Sequence, residues 1–165
     1  MGYWGYFVVG RGERPLAELD ALSGVEGLAL RERAPGDWQV WEYPSGEGDV
    51  GNMNDLARET GAPALFGYVM DSDCVVVEAA APQSGAWTTC LGRTAMAAYL
   101  GEDGLTVEDY FLDPSDAAER AVAWAAEAGH EVNAESLVDV LTAEADPLAE
   151  NLFFRLLDRL GVVSL

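Results

Sequence analysis

The chain of 165 residues contains no lysine and no isoleucine, and has only one histidine, two cysteines and four asparagines. Each scarcity narrows what the protein can be. All nine cations are arginines, and there is no Walker A loop to cradle a nucleotide phosphate. A single histidine, His130, rules out an HExxH pair, and no Cys or second His lies near it in sequence. Cys74 and Cys90 stand too far apart for a metal knuckle and have no CxxC context, which points to two buried free thiols on neighbouring strands. There is also no GxGxxG after the first strand and no GxSxG elbow. No charge-free stretch approaches the roughly 18 apolar residues of a membrane span. The first ten residues lack the basic and apolar regions of a secretory signal, so the expected location is cytoplasmic.

Acid is what the chain has in excess. The formal charge is -20 and the isoelectric point about 4.1. Between Glu102 and Glu150 stand fourteen Asp or Glu residues against one arginine, Arg120. The lack of Lys and Ile, with plentiful Ala, Gly, Arg, Val and Leu, is the usage of a GC-rich genome, and that bias accounts for part of the acid. The remainder is still large, because like charges oppose compaction where they crowd. A dense negative field attracts cationic surfaces, repels nucleic acid phosphates and speeds encounter with a basic partner. Hydrophobic content of 50% with five Trp, six Tyr and five Phe is ample for a packed core. Length fits a single domain over residues 1–165, with a sheet portion at 1–100 and an acidic helical portion at 105–165.

Periodicity supplies the elements. An aromatic and β-branched strand is expected over Tyr3–Val9, ended by Gly10-Arg11-Gly12. Pro15 then opens a helix carrying Leu16, Leu19 and Leu22, stopped at Gly24. Strands over Leu28–Arg33 and Trp38–Tyr43 flank the turn Ala34-Pro35-Gly36-Asp37. A Gly-rich loop over Pro44–Gly51 leads to a short helix at Asn54–Thr60. Three strands follow as a meander, Ala64–Met70, Cys74–Ala80 and Ala86–Leu91, and then a helix over Arg93–Leu100. Beyond Tyr110 three helices are expected, capped at Asp113-Pro114, Asn133 and Asp146-Pro147. The last bears a stripe of Leu148, Leu152, Phe153, Leu156, Leu157 and Leu160. The fold class is therefore α+β: a mixed or mostly antiparallel sheet of about six strands, helices packed on it, and a C-terminal three-helix segment.

Four sets of residues are candidates for function. The acids Glu102, Asp103, Glu108, Asp109, Asp116, Glu119, Glu127, Glu131, Glu135, Asp139 and Glu144 would contact a basic partner if they share a surface. Asp71-Ser72-Asp73 places two carboxylates one residue apart at a strand end, where both can reach one divalent cation. Asp and Ser are also common turn formers, and a turn is the simpler reading. Gly10-Arg11-Gly12-Glu13-Arg14 reads as a strand-to-helix turn, with anion contact through two guanidiniums as the alternative. The aromatics Tyr3, Trp4, Tyr6, Phe7, Trp38, Trp41, Tyr43 and Trp87 read as core, with a ligand groove on the sheet as the alternative. His130, after Gly129, is expected as an exposed cation at a helix C-terminus, with catalysis or metal ligation as the alternative.

With its aromatic opening Gly2-Tyr3-Trp4-Gly5-Tyr6, its Trp38-Gln39-Val40-Trp41 hairpin and its Gly61-Ala62-Pro63-Ala64 strand leading into Asp71-Ser72-Asp73, the chain resembles a group of small acidic proteins from high-GC actinobacteria. That resemblance implies a bacterial cytoplasmic setting and no particular activity. In type, being small, acidic, α+β and free of catalytic motifs, the chain is also similar to immunity proteins of bacterial toxin systems. The leading expectation is a non-enzymatic binding or inhibitory protein that docks a basic toxin, nuclease or DNA-binding protein, with no cofactor. The alternatives are a divalent-metal enzyme using Asp71 and Asp73, and a small-ligand-binding domain using the aromatic sheet.

Overall fold

The computed structural model of the chain describes residues 2–45, 47–145 and 148–163. Six strands form one sheet: β1 (Gly5–Arg11), β2 (Ala29–Ala34), β3 (Trp38–Tyr43), β4 (Ala64–Met70), β5 (Cys74–Ala80) and β6 (Trp87–Leu91). Their order is β2-β3-β1-β4-β5-β6, and neighbouring strands run antiparallel. The helices are α1 (Met53–Thr60), α2 (Arg93–Gly101), α3 (Pro114–Glu127), α4 (Ala134–Thr142) and α5 (Ala149–Leu160). The chain is thus α+β with a mostly hairpin-built sheet and a C-terminal helical segment. The β2–β3 hairpin turns where expected, with Gly36 and Asp37 both at positive φ, and β4-β5-β6 is a meander. β1 runs two residues further than its glycines indicated, because Gly10 remains extended and paired with Gln39.

The residues after Pro15 do not form the helix expected of them. Leu16–Glu18 and Asp20–Leu22 are two separate 3₁₀ turns with Leu19 extended between them. Leu16, Leu19 and Leu22 recur every third residue, which is the 3₁₀ period, and all three are buried. Glu59 accepts hydrogen bonds from the backbone N–H groups of Asp20 and Ala21, at 3.0 and 2.8 Å, and so caps the second turn. The first is tied down by the fully buried Gln39. Its amide oxygen accepts from Leu16 N and Trp41 Nε1, while its amide nitrogen donates to the carbonyls of Gly12 and Arg14. All of this buried amide's polar capacity is used, as burial of a polar group requires.

Strand alternation separates two cores. Phe7, Val9, Trp38, Val40, Leu65, Val69, Val75, Val77 and Leu91 face one way, where α3, α4 and α5 cover them in a single cluster. Buried Leu152, Phe153, Leu156, Leu157 and Leu160 of α5 complete that core, each contributing roughly 1.5–3 kcal/mol. Gly67 of β4 makes room for this helix: a Cβ built there would lie 2.5 Å from the Phe153 ring. Trp124 of α3 reaches the sheet through its Nε1, which donates to the carbonyls of Ala64 and Ala80. On the opposite face Tyr6, Val8, Trp41 and Phe66 pack beneath α1 and the 3₁₀ turns. Cys74 and Cys90 pack with Met96 of α2.

Between α2 and α3 the chain crosses the β6 edge. Leu112 N donates to the Thr88 carbonyl, and the Leu112 carbonyl accepts from Thr89 Oγ1 and the Arg93 guanidinium. This places α2 on the opposite sheet face from α3–α5. Asp113 and Asn133 cap α3 and α4 through the N–H groups of Asp116 and Glu135. The Asp146-Pro147 cap lies outside the described residues. α3 ends in a Schellman motif: His130 N donates to the Ala125 carbonyl and Gly129 N to that of Ala126. His130 is not an exposed cap, however. It is half-buried, with its ring against Gly161 after α5, because helix packing leaves the C-terminal segment on top of it.

Candidate functional site

The acidic candidates are spread over several elements, from the end of α2 to the segment after α4. Glu102 and Asp103 are exposed at the end of α2. Glu108 and Asp109 lie in the 3₁₀ turn Val107–Asp109, beside a 360 Å³ hollow lined also by Trp87, Tyr110 and Arg120. Asp109 closes a capping box on the N–H of Thr106. Glu144 accepts from the Thr94 hydroxyl at 2.6 Å. Asp116 is exposed in the first turn of α3, and Glu131 is exposed just beyond His130.

Glu127 has an internal role. Its carboxylate accepts from the backbone N–H groups of Gln83 and Ser84, at 3.0 and 2.7 Å, and so fastens the β5–β6 loop to α3. Burial alone raises its pKa, but these hydrogen bonds outweigh that and hold the carboxyl below its ordinary range. The remaining three acids converge. Glu119 on α3 and Glu135 and Asp139 on α4 line a 450 Å³ groove floored by Ala118, Ala134 and Val138. No arginine lines it.

This distribution reflects the shortage of cations. Among the described residues the ion pairs are Arg31–Glu42 and Arg58–Asp55, both with exposed arginines, and pairs of that kind contribute about 0–1 kcal/mol. Backbone N–H groups and hydroxyls engage the carboxylates instead, as at Glu59, Glu127, Asp109 and Glu144.

Asp71-Ser72-Asp73 is a hairpin turn with Asp71 and Ser72 both at positive φ, 53° and 56°, the twist that suits antiparallel strands. It is also a junction. Asp71 accepts from Gly2 N at 2.6 Å, and Asp73 accepts from the Tyr99 hydroxyl at 3.4 Å. The Ser72 hydroxyl accepts from Tyr3 N and donates to Glu150. Its backbone pairs with Tyr3 and with Ala149 at the start of α5. Among the described residues no three His, Cys, Asp or Glu side chains gather as a metal would need. Cys74 and Cys90 are free and buried, with burial pushing their thiols up to about 12 and about 11, so neither is a reactive thiolate.

The aromatics divide by strand alternation. Phe7, Trp38 and Trp87 belong to the core under α3–α5, and Arg11 lies over Trp38 at 5.9 Å. Tyr3 packs against that core, and its hydroxyl donates to Glu42. Trp4, Tyr6, Trp41 and Tyr43 point to the other face. There Tyr43, Tyr6, Tyr68 and Trp4 form a ladder with successive centroids 6.1, 4.4 and 6.3 Å apart. Tyr68 and the neighbouring Glu78 were not singled out in the sequence. The available signal was Glu78 itself, the one charge in the strand Cys-Val-Val-Val-Glu-Ala-Ala.

Comparison with known proteins finds no matching protein family, no similar curated protein and no similar solved structure. No helix among the described residues is long and apolar enough to cross a membrane.

Proposed function

We propose that this chain is a non-enzymatic binding or inhibitory protein that docks a basic partner, such as a toxin, nuclease or DNA-binding protein, through an acidic helical surface. The surface is centred on the α3–α4 groove, and the setting we propose is cytoplasmic. The supporting observation is the convergence of Glu119, Glu135 and Asp139 around an apolar floor with no arginine in the lining. Glu135 and Asp139 are four apart on one helix, an arrangement that costs a few tenths of a kcal/mol. A basic side chain from a partner would reverse that cost and lay its aliphatic stem on Ala118 and Val138. The surrounding charge of -20 would steer such a partner in and make binding sensitive to salt.

The test is capture from native lysate on immobilised protein at low salt and at about 0.5 M salt, where the Debye length is a few ångströms. The wild type is compared with Glu119→Gln/Glu135→Gln/Asp139→Asn. A basic protein held at low salt, released at high salt and captured at least tenfold less by the triple variant is the expected result. An identical retained set for both proteins would remove the groove as the docking surface.

A further inference from the structure

Sulfur is scarce in this chain, with two cysteines and four methionines in 165 residues, yet four of these six side chains gather in one place. Cys74 and Cys90 are fully buried, Met96 of α2 packs with them, and half-buried Met70 lies at the edge of the same cluster. Strand register brings them together. Met70 and Cys74 face each other across the β4–β5 hairpin. Val76 faces Cys90, so Cys90 is one diagonal step from Cys74 on the same sheet face. Gly92 brings the start of α2 down onto this pair: it takes a φ of +70°, and a Cβ built there would lie 3.4 Å from the Cys74 Cβ.

The surroundings favour a negative centre. Arg93, the first residue of α2, forms no ion pair among the described residues. One of its terminal nitrogens donates to the Thr89 hydroxyl and the Leu112 carbonyl, while its buried Nε has no partner. Burial raises the Cys90 thiol and the Arg93 charge pulls it back, so the guanidinium is near enough to act on that sulfur. α2 also begins without a side-chain cap, which leaves the positive end of its dipole beside the thiols. A partly buried cation without a carboxylate, next to two neutral thiols, is an imbalance that a dithiolate would remove.

The donors also select among metals. No group of three or more His, Cys, Asp or Glu side chains gathers among the described residues, as a hard or borderline divalent ion would require. Thiolates with thioethers suit a soft ion instead, Cu(I) above all. We propose that this cluster binds one Cu(I) ion, held by the thiolates of Cys74 and Cys90 with the thioethers of Met96 and Met70 completing the shell. Uptake exchanges the two thiol protons for the metal: Cu⁺ and two S–H groups give a singly negative copper dithiolate and two protons in solution, with no change of oxidation state. Arg93 balances the charge that results. Half-exposed Met70 is the way in, and the carboxylates of Asp71 and Asp73 in the adjoining turn favour approach of a cation. The site is on the opposite sheet face from the α3–α4 groove and is independent of it.

The experiment adds reduced protein, without oxygen, to the coloured complex of Cu(I) with bicinchoninate and follows the loss of colour as copper is withdrawn. Stoichiometric uptake of a single ion is expected, with a copper-edge X-ray absorption spectrum fitted by sulfur neighbours alone. Cys74→Ala and Cys90→Ala should each weaken binding roughly a hundredfold. The double variant Met70→Leu/Met96→Leu keeps both thiols and nearly the same core volume, and should weaken binding roughly tenfold. Far-UV circular dichroism checks that each variant is folded. No withdrawal of copper by the wild type, or full affinity in either cysteine variant or in the double methionine variant, would overturn the proposal. Blocking of uptake by Zn(II) at equal concentration would do the same, since the site would then prefer a borderline ion.

Discussion

Replacing Ser72 separates the two things that residue does. Ser72→Ala removes a hydroxyl that accepts from Tyr3 N at 2.8 Å and donates to Glu150 at 3.0 Å. The first bond contributes about 1 kcal/mol and the second, to a carboxylate, about 1.5–3. Partial solvent access to Glu150 discounts the second, so the expected loss is about 2–3 kcal/mol. The alanine keeps φ at 56°, where a side chain costs about 1–2 kcal/mol. Ser72→Gly loses the same hydroxyl but sheds that cost, while glycine's larger unfolded-state entropy returns about 0.5–1 kcal/mol. The predicted order is wild type, then Ser72→Gly, then Ser72→Ala, with the last two about 1 kcal/mol apart. Urea unfolding followed by tryptophan fluorescence measures this, provided the slopes match. For a chain of this size Ser72→Ala should melt roughly 5–10 °C lower. The reasoning fails if Ser72→Ala lies within about 0.5 kcal/mol of wild type, or if Ser72→Gly is the less stable of the two.

Gly67→Ala drives a Cβ to 2.5 Å from the Phe153 ring and should destabilise by about 1–3 kcal/mol. Adding Phe153→Leu should recover at least about 1 kcal/mol of that in a double-mutant cycle, whereas strict additivity would show that the two do not interfere. Glu127→Gln should weaken the protein by about 1 kcal/mol at neutral pH, a value discounted for partial solvent access. Because the native carboxyl is held below the ordinary value of 4.5, its contribution is present above that value and lost as pH falls through the native pKa. Melting curves of wild type and Glu127→Gln should therefore converge in acid, and a gap that persists there would contradict the hydrogen-bonded carboxylate.

The elements of this fold were legible wherever local chemistry determines them. Aromatic and β-branched content between turn residues marked the strands, Ala34-Pro35-Gly36-Asp37 the first hairpin, and Asp113-Pro114 and Asn133 two helix starts. The acids were visible as a composition but not as a surface. Glu119, Glu135 and Asp139 meet only because α3 packs on α4, and Glu127 turns inward only because a loop forty residues earlier in the chain presents its N–H groups. Leu16, Leu19 and Leu22 looked helical, since a spacing of three fits both helix types; the hydrogen bonds of Gln39 and Glu59 decided for two short turns. The aromatic ladder shows the same division most sharply. Tyr6 and Tyr68 each lie in an obvious strand, yet they stack only because β1 inserts between β3 and β4. By itself the sequence determined most of the strands and helices, the segment after Pro15 excepted, because those depend on neighbours a few residues away. Which side chains meet depended on strand order and register, and these emerge only when the whole chain buries its apolar faces together.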